Sequence, residues 1–155
     1  MDSSNLDAAS GLEAELPPEC LDLFERRLLG IVGIADETAE VNLTPVWIMR
    51  RGNEIVFNTN TWRAKARLIA TNQRVTICVV DDSDPMRYVQ VRGVGRLTAE
   101  GARETIDLLA RKYWDRDFRG LQPGERRLDV IVTPYYVDYH PDANMDHTIR
   151  VGGSP

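Results

Sequence analysis

At 155 residues, with 43% apolar and 28% charged residues, the chain has the length and composition of one globular domain that buries its own core. These proportions exclude wholesale disorder, and a formal net charge of -5 excludes the broad basic face with which nucleic-acid binders release counterions from phosphates. Any anion site must therefore be local.

Residues 1–15 read as a mobile arm, acidic and without the basic n-region or apolar h-region of a secretory leader. Pro17 and Pro18 precede CLDLFERRLLG, where Leu21, Phe24 and Leu28 recur at helical spacing, so an amphipathic helix is expected as far as Gly30. Leu29 to Ala35 and Asn42 to Met49 read as strands on either side of an acidic turn. Arg51, Gly52 and Asn53 supply a tight turn, and EIVFNT returns as its hairpin partner. A helix from Trp62 to Ala70 follows. Arg74 to Asp81 is rich in β-branched residues and is bounded by Asn72 and DDSDP. Tyr88 to Leu97 alternates and contains Gly93 and Gly95, where a bulge is easiest.

Thr98 has the chemistry of an N-cap, and Ala102, Ile106, Leu109 and Tyr113 share one face of a helix ending near Trp114. LDVIVTPYYVDY is the last strand, in which Pro134 calls for an edge position or a bulge. The domain is expected to occupy residues 16–140, with 141–155 a polar tail. About six strands joined mainly by hairpins, with helices inserted, favour a mainly β, antiparallel barrel with flanking helices over a parallel doubly wound sheet.

Cys20 and Cys78 have no metal-ligand spacing and no disulfide-framework context, and no apolar run approaches the ~18 residues that span a bilayer. A reduced, cytoplasmic location without membrane contact is expected. The sequence has no GxSxG, no GxxxxGK loop and no HExxH, and its only histidines are His140 and His147, so neither a catalytic triad nor a metal site is expected. An enzyme of this kind leaves the reaction to a bound cofactor.

The stretch with the most chemistry is VFNTNTWRAKARL, Val56 to Leu68, where a strand runs into a helix through Thr and Asn residues. A helix N-terminus offers unpaired N–H groups and partial positive charge, and Thr59 and Thr61 add hydroxyls just ahead of it. Arg63 and Lys65 lie in the first turns, so donors and charge can converge on one oxyanion, with Arg67 one turn further along. The competing reading is a solvated cationic helix face.

From Asn42 to Leu97 the chain resembles the pyridoxamine 5'-phosphate oxidase-like split β-barrels, which include flavin- and deazaflavin-dependent oxidoreductases. The resemblance rests on the order and spacing of short motifs: Pro45-Val46-Trp47 on a strand, a hairpin, Thr59, Lys65, an approximate N-x-R-V segment from Asn72, and RYVQVRG ending at Gly93. It implies a six-stranded split barrel and a homodimer with two cofactor sites between the subunits. It further implies that Thr59, Arg63, Ala64 and Lys65 hold the cofactor phosphate while backbone at Pro45, Val46 and Trp47 lies along the ring system.

Two departures from the oxidase pattern stand out. Tyr88 replaces a ring-contacting glutamine, and Arg63-Ala64-Lys65 replaces Ser-Arg-Lys. With no Arg-x-His pair near the C-terminus to grip a pyridoxal substrate, the resemblance leans to the coenzyme F420 branch, whose anionic tail would meet Arg63, Lys65 and Arg67. The expected reaction is hydride transfer to an electron-poor, enone-like C=C bond of a small molecule, possible in secondary metabolism by family analogy, with Tyr88, Tyr135, Tyr136 or solvent supplying the proton. FMN-dependent oxidoreductase and non-catalytic flavin-binding protein are the alternatives. Trp62 and Trp114 are expected to be packing residues, and His140 a surface residue.

Overall fold

The computed structural model describes residues 13–153, so most of the arm expected over 1–15 lies outside the described residues. Among these there are eight strands: β1 Gly30–Ala35, β2 Val41–Val46, β3 Ile48–Arg51, β4 Glu54–Asn60, β5 Arg74–Val80, β6 Tyr88–Thr98, β7 Arg127–His140 and β8 Ile149–Gly152. The α-helices are α1 Asp22–Glu25, α2 Ala64–Thr71 and α3 Ala102–Trp114. Every strand pair is antiparallel, in the order β2-β1-β5-β6-β7-β4-β3, and β8 pairs with the C-terminal part of β7.

Two strands more than expected have separate origins. The run from Asn42 to Met49 is interrupted at Trp47, because its halves pair with different partners, β2 with β1 and β3 with β4. The outermost strands of the order are thus consecutive in the chain, and the sheet curls into a split barrel whose seam is Trp47. Helix α3 satisfies the backbone beside this break. Lys112 Nζ donates to the carbonyls of Ile48 and Phe24, both at 2.7 Å. The Tyr113 hydroxyl accepts from Ile48 N–H at 3.2 Å and donates to Leu28 C=O at 2.6 Å. The second addition is β8, which lies in the stretch read as a polar tail and pairs with β7 from Tyr136↔Gly152 to Tyr139↔Ile149.

The helix expected up to Gly30 is only the four-residue α1. It ends where Arg26 turns to extended backbone (φ -75, ψ 162), and the apolar spacing is used by Leu23 and Phe24 in the turn and by Leu28 in the extended segment after it. Thr98 does not cap α3. Its Oγ1 accepts from Glu100 N–H at 3.2 Å, and Gly101, at φ +76, holds the cap position.

Residues alternate along β5 and β6 between the barrel interior and its outside, which is the two-residue period of a pleated strand. Val32, Ile34, Ile48, Ile55, Phe57, Val75, Ile77, Val89, Val91, Val130 and Val132 are buried in the core, with Leu23 and Phe24 joining it. Pro134 lies in the stretch of β7 between the part paired with β4, which ends at Val132, and the part paired with β8, which begins at Tyr136, so both expectations apply: an edge open to the Ala14 N–H on that side and a bulge on the β6 side. Gly93 pairs with Pro134 and Arg92 with Tyr136, leaving Tyr135 as the extra residue where a proline's missing N–H does no harm.

Candidate functional site

The junction between β4 and α2 is built by asparagines. Asn58 donates to Ala102 C=O at 2.9 Å and to the buried Asp129 carboxylate at 2.8 Å. Asn60 accepts from Trp62 N–H at 3.1 Å through its side chain and donates to Glu125 at 2.9 Å. Its carbonyl takes the Arg63 N–H at 3.2 Å, so the turn into α2 is fixed by one residue.

Thr59, between these two, is different. It is 3% exposed and its hydroxyl has no hydrogen-bond partner. Leaving such a group unpaired costs about 1–3 kcal/mol. It lies beside the start of α2, where Arg63 holds the cap position in extended backbone and no side chain caps the helix. The amides of Ala64 and Lys65, at the first two helical positions, have no intrahelical acceptor. Lys65 Nζ reaches across to Thr44 Oγ1 at 3.0 Å. Burial, and then the charge of Arg63, hold the Lys65 ammonium below the ordinary lysine range.

These groups open onto one cleft of about 340 Å³. Its polar lining is Asn58, Thr59, Arg63, Lys65 and Arg127, and its apolar lining is Pro45, Val46 and Trp47 together with Leu29, Ile106, Leu109, Trp114 and Phe118. An orphaned buried hydroxyl, free helix amides and a half-buried lysine form a donor set that fits a phosphate oxyanion and no neutral group as well.

Six of the expected residues, Pro45, Val46, Trp47, Thr59, Arg63 and Lys65, meet in this cleft. Ala64 contributes its position at the start of α2. Thr61 is exposed, with its N–H on Arg126 C=O at 3.3 Å, and Arg67 folds back onto Trp62 C=O at 3.3 Å; neither lines the cleft. Tyr88 lies outside it, stacked on His140 with ring centroids 4.4 Å apart, because the β6–β7 register sets those two residues opposite each other. Tyr135 and Tyr136 are likewise absent from the lining. His140 is not a surface residue: it is 5% exposed, with Asp138 Oδ1 3.1 Å from Nε2 and Thr148 Oγ1 3.3 Å from Nδ1.

Sequence reasoning missed Arg127 and the aromatic wall. Arg127 Nε donates to Asn58 at 2.7 Å and its Nη1 pairs with Glu125, a placement that follows only from the β4–β7 register. Trp62 and Trp114, expected as packing residues, are 53% and 50% exposed. Trp47 stacks on Tyr113 at 5.4 Å and takes Trp114 edge-on at 4.4 Å.

Thr59→Val tests the reading of the orphaned hydroxyl. The valine should leave the free protein as stable or about 1 kcal/mol more stable in urea unfolding, since it removes a buried unpaired group from a strand. Affinity for a phosphate-bearing ligand should fall about tenfold in the same variant.

The chain belongs to the pyridoxamine 5'-phosphate oxidase family, whose model matches residues 16–132. It is similar to the structure of an F420 reductase, with 25% identity and a TM-score of 0.70 over 79% of this chain and 98% of that one. The conserved hypothetical protein Rv2991 from Mycobacterium tuberculosis, 16% identical, shares the fold with a TM-score of 0.63 over 93% of this chain and 86% of its own. HupZ from Group A Streptococcus, 18% identical, does so with a TM-score of 0.61 over 83% and 99%. No curated protein matches the chain. Among the described residues no helix is long and apolar enough to cross a membrane, and no group of three or more His, Cys, Asp or Glu residues is placed to hold a metal.

Proposed function

We propose that the protein is an oxidoreductase that binds coenzyme F420 in this cleft and reduces an electron-poor, enone-like C=C bond of a small organic molecule. The observation that carries this reading is the buried, unpartnered Thr59 hydroxyl beside the uncapped α2 N-terminus and Lys65. The 25% identity to an F420 reductase favours deazaflavin over FMN. Thr59, the Ala64 and Lys65 amides and Lys65 Nζ hold the phosphate. Arg63 at the cleft supplies charge for an anionic tail longer than a single phosphate, and Arg67, turned onto Trp62 C=O outside the lining, takes no part.

When bound in its reduced form, the deazaflavin supplies the hydride. The backbone of Pro45, Val46 and Trp47 would orient the ring system, and the Trp47 indole would help to exclude water from the cleft. The proton for the adjacent carbon comes from solvent. Tyr88, Tyr135 and Tyr136 lie outside the lining, and the Tyr113 hydroxyl is engaged by the Leu28 and Ile48 backbone. Parallel calorimetric titrations of cofactor-free protein with F420 and FMN test the assignment. Tight F420 and weak FMN binding are expected; tight FMN binding alone would make this an FMN-dependent oxidoreductase, and binding without turnover a flavin carrier.

The cleft is completed by a second copy of the chain in this reading. Ile31, Val41 and Leu43 are 37%, 57% and 65% exposed on the outer face of β1 and β2, around a second hollow of about 500 Å³ that Cys78 and Tyr135 also line. Such an apolar sheet face is what a partner covers. Leu43→Lys should convert a homodimer to monomer in light-scattering chromatography and weaken F420 binding with it. An unchanged dimer would move the interface elsewhere.

A further inference from the structure

We propose that Lys112 is a positioning residue of the cleft: gripped by the Phe24 and Ile48 carbonyls, it sets the backbone and indole of Trp47 for the cofactor ring system, and the charge it carries makes that setting respond to pH. This rests on the proposed function and adds a residue that touches none of the cleft's contents, since neither Lys112 nor its neighbour Tyr113 belongs to the lining.

Ile48 follows Trp47 directly and is fully buried. Consecutive residues of α3 take both of its main-chain groups. Its N–H donates to the Tyr113 hydroxyl at 3.2 Å, and its C=O accepts from Lys112 Nζ at 2.7 Å. The same two side chains reach the segment ahead of β1, Lys112 to Phe24 C=O at 2.7 Å and Tyr113 to Leu28 C=O at 2.6 Å. The Tyr113 ring then lies parallel to the Trp47 indole, within 7° and with centroids 5.4 Å apart. Trp47 is therefore held twice by the end of α3, through the peptide that follows it and through its ring. A lysine in the last turn of a helix ordinarily carries its ammonium out to water along an apolar stem. Lys112 gives it to two main-chain carbonyls instead.

The charges around this ammonium are matched with one another. Glu25 of α1 is the acidic group whose charge reaches it, and Glu25 pairs with Arg50 of β3 at 2.8 Å. Asp22 pairs with Arg87, Arg26 with Asp81 and Asp82, and Arg27 with Asp115, while Arg51 turns to Thr105. Burial pushes the Lys112 ammonium down to about 8, with Glu25 opposing the shift, and raises the Tyr113 hydroxyl, which therefore titrates later. The ammonium has three donors and the neutral amine two. Two carbonyls stand at 2.7 Å to receive them, and the third donor of the ammonium meets the Tyr113 ring, whose centroid is 5.0 Å from Nζ. Loss of the proton removes the cost of a buried charge and leaves a donor for each carbonyl, so the hold on Trp47 is tightest once the amine is neutral. With the seam closed the chain binds fewer protons than with it open, between about 8 and the ordinary lysine value of 10.5, so closure is favoured as pH rises across that window.

The test labels the full, cofactor-free chain with 5-fluorotryptophan and follows its three ¹⁹F signals as pH is raised from about 7 to about 10, with Trp47→Phe assigning the signal of interest. The Trp47 signal should move with a midpoint near 8, do the same in Lys65→Ala, and stay flat in Lys112→Met. Lys112→Met keeps the stem and removes the donors, and should lower F420 or FMN affinity about tenfold in calorimetric titration, whereas Lys112→Arg, which keeps charge and donors, should stay within about threefold of the parent. A lysine that only supports the fold would lower unfolding stability in Lys112→Met and leave the affinity in place. A Trp47 signal indifferent to pH, one that still titrates in Lys112→Met, or unchanged affinity in that variant would overturn the inference. The first of these is read on the parent chain, so the test survives a Lys112→Met that does not fold. Failure of the parent to bind F420 or FMN with the Trp47 titration intact would refute the proposed function and leave Lys112 as the residue that sets Trp47; cofactor binding with Trp47 indifferent to pH would remove the role of Lys112 alone.

Discussion

Lys65→Ala is expected to weaken F420 or FMN binding about 30- to 100-fold, the loss that goes with one charge-assisted contact to a phosphate. Calorimetric titration measures it, and unchanged affinity would remove the phosphate site from this junction. Lys65→Arg should recover only part, since Lys65 reaches Thr44 as a single point donor and a planar guanidinium does not fit the same space. A pH series gives a second signature. Burial and Arg63 depress the Lys65 pKa in the ligand-free protein, and a phosphate stabilises the ammonium. Binding therefore takes up a proton, and affinity falls as pH rises through the depressed pKa, below the ordinary lysine value of 10.5. The alanine variant should be flat across that window. The ligand-free fold follows linkage in the other direction: its unfolded chain binds more protons there, so its stability rises with pH across the same interval.

Gly93→Ala is expected to cost about 3 kcal/mol in urea or thermal unfolding, among the largest effects of any single methyl group in this chain. A Cβ on Gly93 would stand 2.5 Å from Val132 Cγ1 and 2.6 Å from the Thr133 carbonyl oxygen. The valine tip can turn, but the carbonyl belongs to β7, which is paired with β6 on both sides of the bulge. Gly95 offers the control. Its nearest neighbour would be a side-chain methyl, Val75 Cγ2, at 3.0 Å, so Gly95→Ala should lose about 1 kcal/mol. Equal effects at the two positions would mean that the bulge imposes no special constraint.

What the sequence disclosed was whatever short-range pattern determines. The β3–β4 hairpin, β5, β6 and α3 carry periodicity in their own residues. The bulge was visible twice, as Gly93 in one strand and Pro134 in another, and the structure sets those two residues opposite each other. The break at Trp47 had no local sign, because both halves remain good strand sequence; it comes from two separate partner strands and from Lys112 and Tyr113, far along the chain. β8 is four residues long and has too little pattern to stand out from a tail. In the cleft, Thr59, Arg63 and Lys65 could be named because they share one junction. Arg127 and Trp114 could not, since only the β4–β7 register and the seating of α3 bring them there.

Trp47 has a consequence for the lifetime of the fold. β2 and β3 are not paired with each other, so the barrel circuit is joined there by one covalent link and by side chains of α3. That is where the empty molecule should breathe first, with amides beside the seam exchanging with solvent faster than those of β5 and β6. The ligand cleft lies along the same residue, so an occupant works as a clasp: it delays opening at the weakest point and ties the persistence of the native state to the supply of cofactor.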